Sequence, residues 1–155
     1  MLVHGRGGRP WPSMHAGITR ERRMRQPERR RKNPKRLCVG LPPAGTDLIA
    51  VAARVSYKGS VYHKDVPSFA GRVPRPVPAR SVCPRELAGR LDDVQQWLRE
   101  AIRRGHVSEF WIGGFPKYVW RREGETVFEG ELMDPAAGTY KGYPLESHQR
   151  VRGLA

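Results

Sequence analysis

Residues 1–36 carry almost no hydrophobic periodicity, so any core must be assembled from residues 37–155. The first segment is rich in Gly, Pro and Arg and holds twelve Arg and Lys against two acids, Glu21 and Glu28, a net charge of +10. The remainder holds seventeen against thirteen, a net of +4. A segment of the first composition cannot bury enough apolar surface to offset the entropy of ordering it. The expected organisation is a disordered basic arm at 1–36, a single α+β domain at 37–147 and a frayed tail at 148–155. About 110 residues suffice for one modest core.

Several classes of protein are disfavoured by what is missing. The longest apolar run, Leu48–Ala53, is far shorter than the roughly 20 residues of a membrane span. No apolar stretch follows the N-terminal basic residues, so no secretory signal is expected and cytoplasmic residence is the default. Cys38 and Cys83 form no CxxC pair, and the histidines (His4, His15, His63, His106, His148) show no HxH or HxxxH spacing. No GxxxxGK[ST] or GxGxxG loop and no hydrolase elbow occurs. Neither a metal nor a cofactor is therefore expected. Arg outnumbers Lys 23 to 6, which reads as the imprint of a GC-rich genome, and Met14 and Met24 could each begin the chain.

Within 37–155 the order of elements can be read from pattern. Asp47–Tyr57 (DLIAVAARVSY) is a buried strand or short helix, with strand favoured by Val51, Val55 and Tyr57. Val61–Lys64 reads as a brief extended piece, and residues 67–80, with four prolines, as an irregular crossover. Leu87, Leu91, Val94, Leu98 and Ile102 recur at spacings of 4, 3, 4 and 4, which predicts one amphipathic helix over 84–104 ending at Gly105. Trp97 lies one position off that stripe. Val107–Ile112, Phe115–Arg122 and Thr126–Met133 read as strands, and Thr139–Leu145 as an edge strand limited by Pro144. For the 115–133 hairpin, a three-residue loop places Trp120 opposite Phe128 and Tyr118 opposite Gly130, with Leu132 on the same face. Lys117, Val119, Arg121, Val127, Glu129 and Glu131 then share the other face. The fold class is α+β: one amphipathic helix packed on a three- to four-stranded antiparallel sheet, with a disordered basic N-terminal arm.

A basic arm points to a polyanionic partner. Arg20, Arg22, Arg23, Arg25, Arg29, Arg30, Arg31, Lys32, Lys35 and Arg36 are the candidate phosphate contacts, joined by Lys64, with Tyr140 and Tyr143 as bases' stacking partners. RNA is favoured over DNA. Metal-independent RNA cleavage needs a proton acceptor, a proton donor and cations for the phosphate. His63, Lys141 and Glu129 are the candidate catalytic residues, and a histidine ordinarily titrates near about 6.5. His106, Glu131, Arg121 and Arg122 offer similar chemistry. The competing structural reading pairs Glu129 and Glu131 with Lys117 and Arg121 and places the tyrosines at the rim of the core. Cys83, just before a helix, is read as a packed or capping residue sooner than as a reactive thiol.

One helix followed by an antiparallel meander, over residues 84–145, is similar in layout to small bacterial ribonucleases of the barnase, RelE and colicin-nuclease group. The resemblance lies in layout alone and transfers no site residue. The strings GSVYHKDVPSFAG, GGFPKYVW and YKGYPL also resemble stretches of small uncharacterised bacterial proteins, which implies no activity. The expected function is nucleic-acid binding, extending to a metal-independent ribonuclease of toxin type. The alternative is a non-enzymatic interaction module (an antitoxin, inhibitor or regulatory subunit) docking on a protein partner through an aromatic sheet face.

Overall fold

The computed structural model describes residues 37–74 and 80–155. The basic arm and residues 75–79 of the proline-rich crossover lie outside the described residues. Asp47 opens the first element: its carboxylate accepts from the amides of Ile49 at 2.9 Å and Ala50 at 3.1 Å. This cap, followed by an alanine-rich run, makes Leu48–Arg54 a helix, α1, where a strand was favoured. Strand β1 is confined to Ser56–Tyr57, and Val61–His63 is a 3₁₀ turn in place of the extended piece.

The helix expected over 84–104 is divided. Arg85–Leu87 forms one 3₁₀ turn, and α2 runs from Leu91 to Arg103. Gly89 and Arg90 separate the two, and Asp92 and Asp93 occupy the first turn of α2, where carboxylates meet the positive end of the helix dipole. Leu87 still reaches the core through its own turn, and Leu98, Ala101 and Ile102 are fully buried. The C-terminus closes as expected around Gly105, at φ +75°. The Gly105 amide donates to Ile102 and the His106 amide to Ala101, the two hydrogen bonds of a Schellman motif.

Strands β2 (Trp111–Ile112) and β3 (Phe115–Pro116) form a small hairpin. Strands β4 (Tyr118–Glu123), β5 (Thr126–Asp134) and β6 (Thr139–Pro144) form the meander. The main sheet has the order β1-β6-β5-β4, with β1 parallel to β6 and the other pairs antiparallel. The architecture is thus α+β with two helices, not one, on a mixed sheet. Strand β6 lies inside the sheet instead of at its edge.

The β4–β5 register also departs from expectation. Glu123 pairs with Thr126 across a two-residue turn, so Trp120 faces Glu129, Val119 faces Gly130 and Arg121 faces Phe128. Gly124, at φ +57°, supplies the positive φ that the first central position of such a tight turn demands. Segregation of apolar from charged residues fixes a register only where one face is buried, and this sheet is covered on both. On one face α1 and α2 pack on Val119, Leu132 and Tyr140. On the other, Leu37, Trp120, Tyr143 and Leu145 form a second cluster with Val39, Val151 and Leu154. The tail expected to fray is part of that cover. Arg152 bridges Cys38 in parallel, with Val39 N to Arg152 O at 2.8 Å and Arg152 N to Leu37 O at 3.0 Å.

Candidate functional site

Three adjacent strands place Trp120, Glu129 and Tyr143 side by side on the second sheet face. Glu129 is 0% exposed, and its carboxylate accepts from the Trp120 indole at 3.0 Å and the Tyr143 hydroxyl at 2.6 Å. Such charge-assisted bonds offset the cost of enclosing a carboxylate. One residue pair further along, Glu131 sits between Lys117 (3.4 Å) and Lys141 (3.5 Å), and the Tyr143 hydroxyl approaches it at 3.3 Å. Burial works against the Glu131 charge, but Lys141, Lys117 and Tyr143 together outweigh it and hold the carboxyl below its ordinary range.

His63 joins from its 3₁₀ turn. Its ring lies 4.6 Å from that of Tyr143 at 32°, and Nδ1 lies 3.0 Å from the Ser81 carbonyl. A carbonyl only accepts, so Nδ1 carries hydrogen in that contact. The structure therefore brings the three candidate catalytic residues into one connected set: His63 reaches Glu129 through Tyr143, and Lys141 through Tyr143 and Glu131. Their exposures differ. Glu129 is enclosed, whereas His63 and Lys141 are half-buried. An enclosed carboxylate cannot touch a phosphodiester, so its direct role here is to hold Tyr143.

The stacking candidates lie inside the protein. Tyr140 is 0% exposed on the helix-covered face and donates to the Pro116 carbonyl at 2.5 Å, and burial pushes its hydroxyl pKa up. Tyr143 is buried beneath His63. With Trp120 also enclosed, these rings do not form an exposed aromatic sheet face. Among the described residues the exposed large apolar side chains are instead Leu41, Ile49, Tyr62, Val82, Phe110, Ile112 and Met133, with Leu91 at the margin. Lys64 is buried against the Phe69 ring, its Nζ 5.3 Å from the centroid. The other phosphate candidates, Arg20 to Arg36, lie outside the described residues.

A feature not anticipated from sequence lies on the opposite face. Gly130 and Gly142 are register partners on β5 and β6, and their missing side chains leave a cavity of about 50 Å³ under α2. At Gly142 an added Cβ would lie 3.0 Å from Tyr57 Cε2 and 3.1 Å from its hydroxyl, a tight contact that the Tyr57 ring would have to relieve by shifting. Lys64, Cys83 and Tyr57 line the cavity with Val94, Leu98 and Val119. Burial pushes the Cys83 thiol pKa up, with Lys64 opposing. The net direction is opposite to that of an activated thiol.

His106, at the exit of α2, has a lowered pKa, first from burial and then from Arg104 and Arg121; its Nδ1 is enclosed without a hydrogen-bond partner. The sign for stability follows from linkage. Above the unfolded value near about 6.5 both states are neutral; below it the unfolded chain takes the proton first. Stability should fall as pH drops from about 6.5 toward the folded-state pKa. Urea melts of the native chain should show that slope, and His106→Gln should flatten it. Equal slopes in the two proteins would contradict this account.

Among the described residues no group of three or more His, Cys, Asp or Glu is placed to hold a metal ion. Among them, too, no helix is long and apolar enough to cross a membrane. Comparison with protein-family models, curated proteins and solved structures finds no match.

Proposed function

We propose that the protein binds nucleic acid, with RNA preferred over DNA, and that residues 1–36 supply most of the affinity. The observation that carries this reading is the uneven division of charge along the chain, +10 over residues 1–36 and +4 over the rest. Five cations of the described domain have acids beside them: Arg85 with Asp65, Arg90 with Asp93, Lys117 and Lys141 with Glu131, and Arg121 with Glu100 and Glu123. The first 36 residues offer twelve cations and two acids. Positive charge that can displace counterions from phosphates is therefore concentrated in the arm. On the domain, Tyr62 is 52% exposed with the Arg80 guanidinium 4.6 Å from its ring centre. That pair offers a stacking platform for an unpaired base, which favours single-stranded RNA.

A second reading, metal-independent ribonuclease activity, is favoured by the connection of His63, Glu129 and Lys141 through Tyr143 and Glu131. In it His63 transfers the proton and Lys141 faces the phosphate. Glu129 positions Tyr143, and through it the His63 ring. One experiment separates the two readings: total RNA is incubated with the native protein in EDTA, and both shift and integrity are followed. Binding alone predicts shifted, intact RNA. Cleavage lost in both His63→Ala and Lys141→Ala selects the enzyme. RNA neither shifted nor cut contradicts both.

A further inference from the structure

From the cavity beneath α2 we infer a binding site for a small monocarboxylate with a short apolar tail, held by Lys64. This inference is independent of the nucleic-acid reading. Lys64 is 8% exposed and lines the cavity, yet among the described residues it makes no ion pair and no side-chain hydrogen bond. Its neighbours are the Phe69 ring, 5.3 Å from Nζ to the centroid, and the Cys83 thiol. A buried ammonium without an anion is costly, and a carboxylate brought to it in a low-dielectric slot gains more than it would in water.

The rest of the lining is short of acceptors. Strand β1 ends at Tyr57, so β6 has no strand neighbour on that side at Gly142. Two donors converge on the Gly142 carbonyl, both at long range: the Tyr57 hydroxyl at 3.5 Å and the Cys83 thiol at 4.0 Å. Burial raises the pKa of both groups, which keeps their protons in place as donors. Arg121 is taken by Glu100 and Glu123, and Glu129 turns its carboxylate to the other face, toward Trp120 and Tyr143. One ammonium and two donors with one shared acceptor call for an anionic ligand. Val94, Leu98 and Val119 complete an apolar wall, and the volume of about 50 Å³ limits the enclosed part to a few heavy atoms.

The test uses the full chain and sodium butyrate, followed by amide NMR at ionic strength matched with sodium chloride. Saturable shifts are expected at Gly130, Gly142 and Cys83. Butan-1-ol, which keeps the tail and lacks the charge, should bind roughly 10- to 100-fold more weakly. Lys64→Met should cost butyrate a similar factor. Gly130→Ala places a methyl group 3.6 Å from Leu98 Cδ1, an ordinary contact, so it should fold and weaken butyrate by partly filling the cavity. That variant decides the matter if Lys64→Met fails to fold. Equal binding of butanol and butyrate, full affinity in Gly130→Ala, or shifts confined to arginines outside the cavity would each overturn the site.

Discussion

Replacing Trp120 with alanine is expected to destabilise the protein by about 3–5 kcal/mol, the usual range for a large aromatic removed from a core. The indole is 0% exposed and packs with Leu37, Tyr143 and Leu145 in the cluster under the terminal segments. It also donates to Glu129, so truncation leaves a buried carboxylate one donor short, a loss that adds about 1–3 kcal/mol where no water replaces it. Against a typical total of about 5–15 kcal/mol, that is a large share. Trp120→Phe keeps much of the packing and lacks the N–H, so its cost against the native protein is an upper bound on the hydrogen bond, and the further cost of Trp120→Ala reports the packing. Phe128→Ala should cost less than Trp120→Ala, because that ring is only half-buried, against Trp97. Urea unfolding midpoints at constant slope are the measurement. A cost under about 1 kcal/mol for Trp120→Ala would place the indole at the surface and overturn the two-faced sheet.

What could be read in advance follows the range of the forces involved. The second half of α2 was legible because its stripe and its closing Gly105 are local, and so were the strands of the β4–β5 hairpin. The start of α2 was misplaced because the leucine stripe continues through Leu87, while the break at Gly89 and the Asp92–Asp93 pair carry the actual boundary. In α1, the Asp47 cap outweighed the β preference of Val51 and Val55. The hairpin register was lost for a non-local reason: Leu37, Val151 and Leu154 cover the second face, and no pattern within 115–133 records them. The parallel pairing of Ser56 with Thr139, which moves β6 into the sheet, is likewise set by contacts distant in sequence.

The candidate site divides along the same line. His63, Glu129 and Lys141 could be nominated from their chemistry, but their connection runs through Tyr143, which the sequence offers either as a base-stacking residue or as a rim residue of the core. Glu129 looked like a solvent-facing partner of Lys117 or Arg121, and burial between Trp120 and Tyr143 changes what it can do. The glycine pair at 130 and 142 carries no chemistry of its own in sequence. Only the register that sets the two side by side turns them into a cavity.

The dependence of RNA binding on salt tests the central claim most directly. Twelve basic residues in the arm can neutralise about six to ten phosphates, and each neutralised phosphate releases condensed counterions. Affinity of the full chain for a single-stranded RNA should therefore fall by roughly 10³–10⁵ between about 50 and 200 mM salt. A chain lacking residues 1–36 should bind weakly at the lower concentration and show a much shallower slope. Fluorescence anisotropy with a labelled oligonucleotide gives both constants and slopes. A steep slope that disappears with the arm is the predicted result. Affinity that hardly changes with salt, or that survives unchanged without the arm, would contradict the account.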